Sequence, residues 1–368
     1  MNEIDPASLQ PWVAWGGFLL AFIFGYIGNK THFCTMGAIA DIVNMGDWQR
    51  LRMWLLAIAV AILGASALEL AGFLKLSNSI YTAPRLPWLA FSVGGFLFGI
   101  GMVLGSGCGS KTLIRVGTGN LKSVVVAVFL AISAYMTLRG VLAPLRVGVL
   151  EPLAIQFAGN QDLPTILADA LGFERSTMLI ACSLIISTMI AAIAFRRPET
   201  ISAELLLGGI VVGLVVVGGW YVTGHLGYLA ENPKTLEPAW IATNTGKMES
   251  LTFVGPQAFL LELLMFWTDQ SRIVTFGIAS VAGVVLGSAC FAVVSRTFRF
   301  EAFRDVEDML NHIAGGILMG FGGITALGCT IGQAITGIST LAIGSFLVFA
   351  MIILGATVGL KYQYWRIA

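Results

Sequence analysis

Two short turns in the sequence place a thiol beside glycine: Gly107-Cys108-Gly109 and Gly328-Cys329-Thr330. Glycine next to cysteine lets a ligand approach the main chain closely, and the neighbouring N–H groups can then act as donors. The thiol itself is a weak donor on a soft, polarizable sulfur. A lone free cysteine is most often a small buried apolar residue, so it is the recurrence at matching turns that marks Cys108, Cys329, Gly107 and Gly328 as candidate ligand-contacting residues. Cys34, in His32-Phe33-Cys34-Thr35-Met36-Gly37, follows an apolar run in a similar polar break. Cys182 and Cys290 lie within apolar runs and are expected to pack. Lys111 and Arg115, four residues apart, share one face of a short helix after Cys108; they either attract an anion or anchor that end at an interface. Glu69 stands late in an apolar run, where a charge is functional, paired, or at headgroup depth beside Lys75.

Other chemistries are set aside by what surrounds these residues. His32 with Cys34 is the one hint of a metal site, but the chain has three histidines and no carboxylate cluster near them, so no metal is expected. The five cysteines form no CxxC pair and no even framework, which argues against a disulfide scaffold. Gly99-Ile100-Gly101 sits inside an apolar run and lacks the strand–turn–helix context of a dinucleotide fingerprint, so no cofactor is expected.

The elements that must position the thiols are membrane helices. Of 368 residues 57% are hydrophobic and only 11% charged, where a soluble domain carries about 25% charge; mean hydropathy is +0.86. This composition excludes a nucleic-acid binder, a disordered chain and a secreted disulfide scaffold. The net charge of +1 implies no polyanionic partner. The expected fold class is an all-α integral membrane protein, a single transmembrane domain over 1–368 in contact with the lipid bilayer. The acidic N-terminus lacks the basic region of a signal peptide, so the first apolar segment is expected to stay. Runs near the twenty residues that cross a bilayer predict spans at 12–28, 53–74, 88–105, 122–145, 176–195, 204–223, 273–294, 311–327 and 341–361. The apolar segment 256–268 is short and contains Glu262, which favours a half-membrane helix over a tenth span. Three stretches, 28–40, 105–119 and 328–340, each follow a span, carry one cysteine, and read as re-entrant turns or short half-helices; tight interfacial loops are the alternative. Irregular backbone at membrane depth survives only where it lines a cavity or packs on protein.

An internal repeat links two of these stretches. Residues 94–108 and 315–329 align without a gap at a shift of 221, with seven of fifteen positions identical and the cysteine at the same offset. The expected organisation is a first repeat over 12–145, a connecting region over 146–272 with two or three helices, and a second repeat over 273–368. With nine spans the two repeats run in opposite directions. Such inverted repeats are common in transporters, where discontinuous helices aim their N-terminal N–H groups at anionic substrates near the repeat interface.

At three motifs the chain resembles the YeeE/YedE family of sulfur-transport membrane proteins. They are Asn29-Lys-Thr-His-Phe-Cys34-Thr-Met-Gly37-Ala-Ile-Ala-Asp41, Phe98-Gly-Ile-Gly101-Met-Val-Leu-Gly-Ser-Gly107-Cys108, and Met319-Gly-Phe-Gly322-Gly-Ile-Thr-Ala-Leu-Gly328-Cys329-Thr-Ile-Gly332. The resemblance implies an hourglass-shaped, multi-pass transporter of the bacterial inner membrane, not an enzyme, working without ATP. It implies a thiosulfate path lined by three cysteines, which carry over to Cys34, Cys108 and Cys329. Lys111 joins them as a candidate anion contact. The implied partners are a small sulfur oxyanion, thiosulfate or a selenium analogue, and a cytoplasmic sulfur-carrier protein of the TusA-like type, with no nucleic acid. The middle of the chain, Gly218 to His225 and Pro233 to Asp269, departs from the best-known pattern. The reading from another class is a membrane sulfurtransferase or thiol-redox protein, in which a cysteine thiolate holds a persulfide; it needs a cation beside the thiol, which Lys111 could supply.

With Glu3 and Asp5 outside, twelve lysines and arginines fall on cytoplasmic segments, among them Arg50, Lys111, Arg197, Lys361 and Arg366, against eight outside. This excess follows the positive-inside rule. A reporter tag after Ala368 is therefore expected on the cytoplasmic side; a periplasmic signal would reverse the orientation and force 256–268 to be counted as a span.

Overall fold

A computed structural model describes residues 6–196, 202–233 and 235–367; Glu3, Asp5, Arg197 and Ala368, used for the orientation above, lie outside them. The chain is a multi-pass, all-α membrane protein. Among the described residues eight helices are long and apolar enough to cross a membrane. The long helices are α1 (Pro6–Lys30), α3 (Gln49–Leu70), α4 (Trp88–Leu104), α6 (Leu121–Arg139), α9 (Arg175–Ala194), α10 (Ala203–Tyr221), α12 (Phe276–Val294), α13 (Val306–Thr325) and α14 (Ile343–Ile367). Of these nine, α13 is the one not apolar enough to count among the eight; it carries Glu307 and Asp308 in its first turn. Short helices stand between them: α2 (Thr35–Met45), α5 (Gly109–Gly117), the one-turn α7 (Ala143–Leu145), α8 (Leu163–Leu171) and α11 (Gly255–Met265), with a π-helix over Ile331–Gly337. At about 1.5 Å per residue, the eleven residues of α11 fall far short of a bilayer, which settles 256–268 as a short helix. The predicted span 122–145 ends early, at Arg139, since Gly140 leaves the helix in extended geometry. Among its described residues, the region 146–272 holds four α-helices, α8 to α11, and π-helices at Arg146–Leu150 and Val222–Leu226. The unforeseen one, α8, has ordinary stop signals: Asp162 caps it, Pro164 sits in its first turn, and Gly172 closes it at φ 73°.

Connections fall on two faces. On the first, Arg85 and Leu86 (β1) pair with Ile155 and Gln156 (β2), and bridges join Ser79 to Met248 and Asp162 to Ala342. On the second, Asn120 bridges to Glu301, and Lys122 binds Asp308 at 2.7 Å. Glu69 is paired: Arg175 reaches it and also Asp162, so it ties α3 to α9. Trp12 and Trp15 near one end, and Tyr364 and Trp365 near the other, are exposed large aromatics, as expected of interfacial belts.

Helix pairs approach through some of the chain's 44 glycines. Without a hydrophobic drive between helices in lipid, close van der Waals contact at small residues holds them together. Helix α1 packs on α12 through Gly25, Gly283 and Gly287, and α4 packs on α14 through Gly99 and Gly355. The pairing has a pattern. As α4 packs on α14, α13 packs on α6; as α1 packs on α12, α10 packs on α3. A Cβ at Gly355 would stand 2.1 Å from the Phe96 carbonyl oxygen, so the helices must part to admit it. Gly355→Ala is expected to destabilise by about 1–3 kcal/mol, the usual overpacking cost, read as a lowered unfolding midpoint in detergent. Gly148→Ala, with nothing within 4 Å, should leave the midpoint unchanged.

Candidate functional site

The three cysteine-bearing breaks share one local construction. Each long helix ends with a residue in the left-handed region two places before the cysteine: His32 (φ 52°), Ser106 (φ 57°) and Leu327 (φ 57°). The next amide turns back across the helix end, Phe33 to Gly28 at 3.0 Å, Gly107 to Met102 at 2.8 Å and Gly328 to Gly323 at 2.7 Å. With the tighter bonds from His32 to Asn29, Ser106 to Val103 and Leu327 to Ile324, each is a Schellman closure that satisfies the last carbonyls. Glycine usually takes the left-handed position; here other residues do, at a cost of about 1–2 kcal/mol each.

The cysteine then opens the next helix. Cys34 is the N-cap of α2 and its sulfur accepts the Gly37 amide at 3.3 Å. Cys329 Sγ likewise accepts the Gly332 amide at 3.4 Å. Cys108 is the N-cap of α5 but makes no cap bond; its sulfur lies 3.3 Å from Ser110 Oγ. All three are buried and free, as is Cys182, while Cys290 is exposed on α12. The expectation that Cys290 packs inside the protein is therefore corrected: its helix turns that position away from α1.

The breaks converge. A Cβ at Gly109 would lie 3.9 Å from Cys329 Cβ and 3.9 Å from Gln257 Nε2, so the start of α5, the Cys329 turn and the start of α11 meet at one point. Cys34 lies within electrostatic reach of Cys108 and Lys111, and Cys108 within reach of Cys329. Cys108 is thus the thiol common to both neighbouring pairs. Lys111 stands between Cys34 and Cys108, half-buried, and no carboxylate pairs with it among the described residues. Gly107 packs on its stem, a Cβ there falling 3.2 Å from Lys111 Cγ. Arg115 braces the backbone instead: it donates to the Ser106 carbonyl at 2.8 Å, holding the left-handed turn. On the other side of Cys329, Thr252 Oγ1 lies 4.0 Å from its sulfur. Tyr81 is buried beside Cys329 and Glu249, and burial pushes its phenol well above the ordinary range.

Several polar atoms at the helix breaks are buried without a partner: Thr35 Oγ1, Thr330 Oγ1, Gln257 Oε1 and Gln333 Oε1. Each glutamine donates its amide back to a carbonyl at a break, Gln257 to Phe253 and Gln333 to Ala326, leaving its oxygen as an unused acceptor. An unsatisfied buried polar group is costly, so these breaks are places where a polar guest is expected. The sequence reading missed all four. The available signal was the twin Cys34-Thr35-Met36-Gly37 and Cys329-Thr330-Ile331-Gly332, in which threonine follows the thiol and glycine supplies the capped amide.

This arrangement has relatives. The chain is 26% identical over 339 residues to the thiosulfate transporter TsuA of Escherichia coli strain K12, covering 87% of this chain and 86% of that protein. It is 27% identical over 359 residues to the thiosulfate transporter TsuA of Spirochaeta thermophila, covering 93% and 96%. The family model described as sulphur transport matches residues 30–358, a stretch that takes in all three cysteine-bearing breaks, and the chain belongs to that family.

Proposed function

We propose that this protein carries thiosulfate across the bacterial inner membrane along the line Cys34, Cys108, Cys329, without ATP and without chemical change to the anion. The observation that carries the reading is the meeting of the α5 start with the Cys329 turn, two helix starts that reach one point from opposite faces. Moving a dianion into hydrocarbon uncompensated costs tens of kcal/mol, and Lys111 is the one cation beside the thiols that lacks a carboxylate among the described residues. Free N–H groups at the starts of α2, α5 and the 331–337 helix supply distributed positive charge, each helix end carrying roughly half an elementary charge. The thiols add weak donors that match the soft terminal sulfur and release it readily. A selenium analogue fits the same chemistry, and a sulfur-carrier protein at the cytoplasmic end would receive the product.

The packing supports inverted repeats with a changed boundary. The exchange of α4–α14 for α13–α6, and of α1–α12 for α10–α3, pairs α1–α6 with α10–α14. In that frame α2 answers to α11, and Val254, the N-cap of α11, takes the place that Cys34 has in the first half. The second repeat then begins at α10, not at 273, and α7–α9 form the insertion between the halves.

The second reading, a sulfurtransferase holding a persulfide, draws on Lys111 beside Cys34 and Cys108. Substitution separates the two. If the thiols only donate, Ser at Cys108 or Cys329 keeps part of the flux, while Ala loses roughly 0.5–1.5 kcal/mol per contact, about two- to tenfold. A covalent relay makes Ser and Ala equally inactive, with a persulfide detectable by mass spectrometry. Initial uptake of radiolabelled thiosulfate into proteoliposomes decides it, with Cys182→Ala and Cys290→Ala as near-normal controls; normal flux in both Cys108→Ala and Cys329→Ala would remove the site. Gly109→Ala tests the meeting point itself. The added methyl makes only ordinary contacts of 3.7–3.9 Å, so the unfolding midpoint should hold while flux falls severalfold.

A further inference from the structure

A cavity of about 130 Å³ opens beside the Cys329 turn, lined by Glu249, Thr252, Gly328, Asn244 and Arg146 among others. Glu249 is 5% exposed. Its carboxylate accepts only long bonds, from the Asn244 amide at 3.3 Å and from Thr245 Oγ1 at 3.3 Å, and among the described residues it has no salt bridge. The chain segment that holds it is fixed: Thr223 Oγ1 donates to the Glu249 carbonyl and accepts its amide at 3.2 Å. Asn244 Nδ2, in the same cavity, is buried without a partner. A carboxylate and a spare donor therefore face a space that ends at the turn carrying Cys329.

The cations nearby are engaged elsewhere. Arg146 is held by Glu151. Arg139 and Arg272, in an adjoining cavity of about 150 Å³ that shares Asn244 and Phe259, both bind Glu262 at 2.9 Å, and Arg272 also reaches Asp269. Tyr81 and Cys329 are further titratable groups on this side; Lys247 is exposed in the segment that carries Glu249, and the exposed His225, two residues beyond Thr223, binds the Phe73 carbonyl. None neutralises Glu249. An anion on its way past Gly328 meets a bare negative charge unless that carboxyl carries a proton.

We propose that Glu249 is a proton-binding site on the anion path: it takes up a proton as a divalent sulfur oxyanion enters the cavity, and access from that face is open only in the protonated form. The inference rests on the transport reading above. Burial already pushes the carboxyl from its ordinary 4.5 to about 7, so protons near neutrality control it. By linkage, an anion that binds better beside the neutral acid must raise the acid's proton affinity by the same factor.

The test uses purified full-length protein. In proteoliposomes, thiosulfate uptake should fall about tenfold per pH unit above about 7, as the protonated fraction does. In Glu249→Gln it should stay flat and high through pH 8.5. Adding thiosulfate to the wild type in weak buffer near pH 7.5, with a pH-sensing dye, should remove up to one proton per protein from solution, and none with Glu249→Gln. The unfolding midpoint gives a readout free of transport. The folded state binds this proton more tightly than the unfolded chain, so wild-type stability falls between pH 4.5 and about 7 and then levels, a slope that Glu249→Gln removes. A variant that keeps the wild-type pH profile assigns the effect to another group and overturns the proposal, as does a wild type with flat flux and no proton uptake. A wild type that moves no thiosulfate at any pH overturns the transport reading and this inference with it.

Discussion

Hydrocarbon offers no partner for an open N–H or carbonyl, so a helix that breaks at membrane depth must close both new ends from within. Everything distinctive in this protein follows from meeting that demand three times. At His32, Ser106 and Leu327 the chain enters left-handed geometry without glycine, and the returning amides close the preceding helix within a single turn. That closure deals with carbonyls only. Of the amides at the start of the next helix, those of Gly37 and Gly332 are held only by a cysteine sulfur, and at α5 the cap bond is missing. Arg115, bonded to the Ser106 carbonyl, shows that the strain is held in place by a dedicated contact.

Bringing the breaks together requires helices that approach more closely than ordinary side chains permit. Glycines that place Gly287 against the Phe22 carbonyl and Gly355 against that of Phe96 perform this. Helix α9 is fastened elsewhere. Arg175 binds Glu69 and Asp162, which fastens α9 to α3 at the first face, away from the cysteines.

Much of this was legible beforehand, and for physical reasons. Apolar runs long enough to span a bilayer are the strongest signal a sequence carries, and the glycine-rich 94–108 and 315–329 share register because their helices pack alike. The cysteine breaks were legible for the same reason: polar and glycine residues interrupt the runs. The short helix α8 was not, because it has neither a span's length nor a strong period. Cys290 misled because an apolar neighbourhood in sequence says nothing about which side of the helix faces lipid. Glu249 was invisible for a different cause. It sits in an irregular segment without motif, and only the fold brings it beside Gly328. The partnerless Thr35 and Thr330 lay in plain view in the twin Cys-Thr-x-Gly, yet their meaning depends on burial, which sequence does not carry.

The choice of sulfur at the breaks is sharpest when set against the other helix starts. Asn120, Asp162, Ser202, Thr275 and Asp305 cap α6, α8, α10, α12 and α13 with oxygen, the usual solution, worth about 1 kcal/mol each. An oxygen cap occupies its amide strongly and, if a carboxylate, repels an anion. At Cys34 and Cys329 the cap is a sulfur 3.3–3.4 Å from its amide, and at Cys108 there is no cap bond. A thiol is a poor acceptor, so on the proposed path an incoming anion would displace it at small cost and gain amides that were only loosely held. The weakness of the cap is thus the property that serves the path: it keeps the helix start closed when empty and yields it to a guest without binding that guest too tightly to leave.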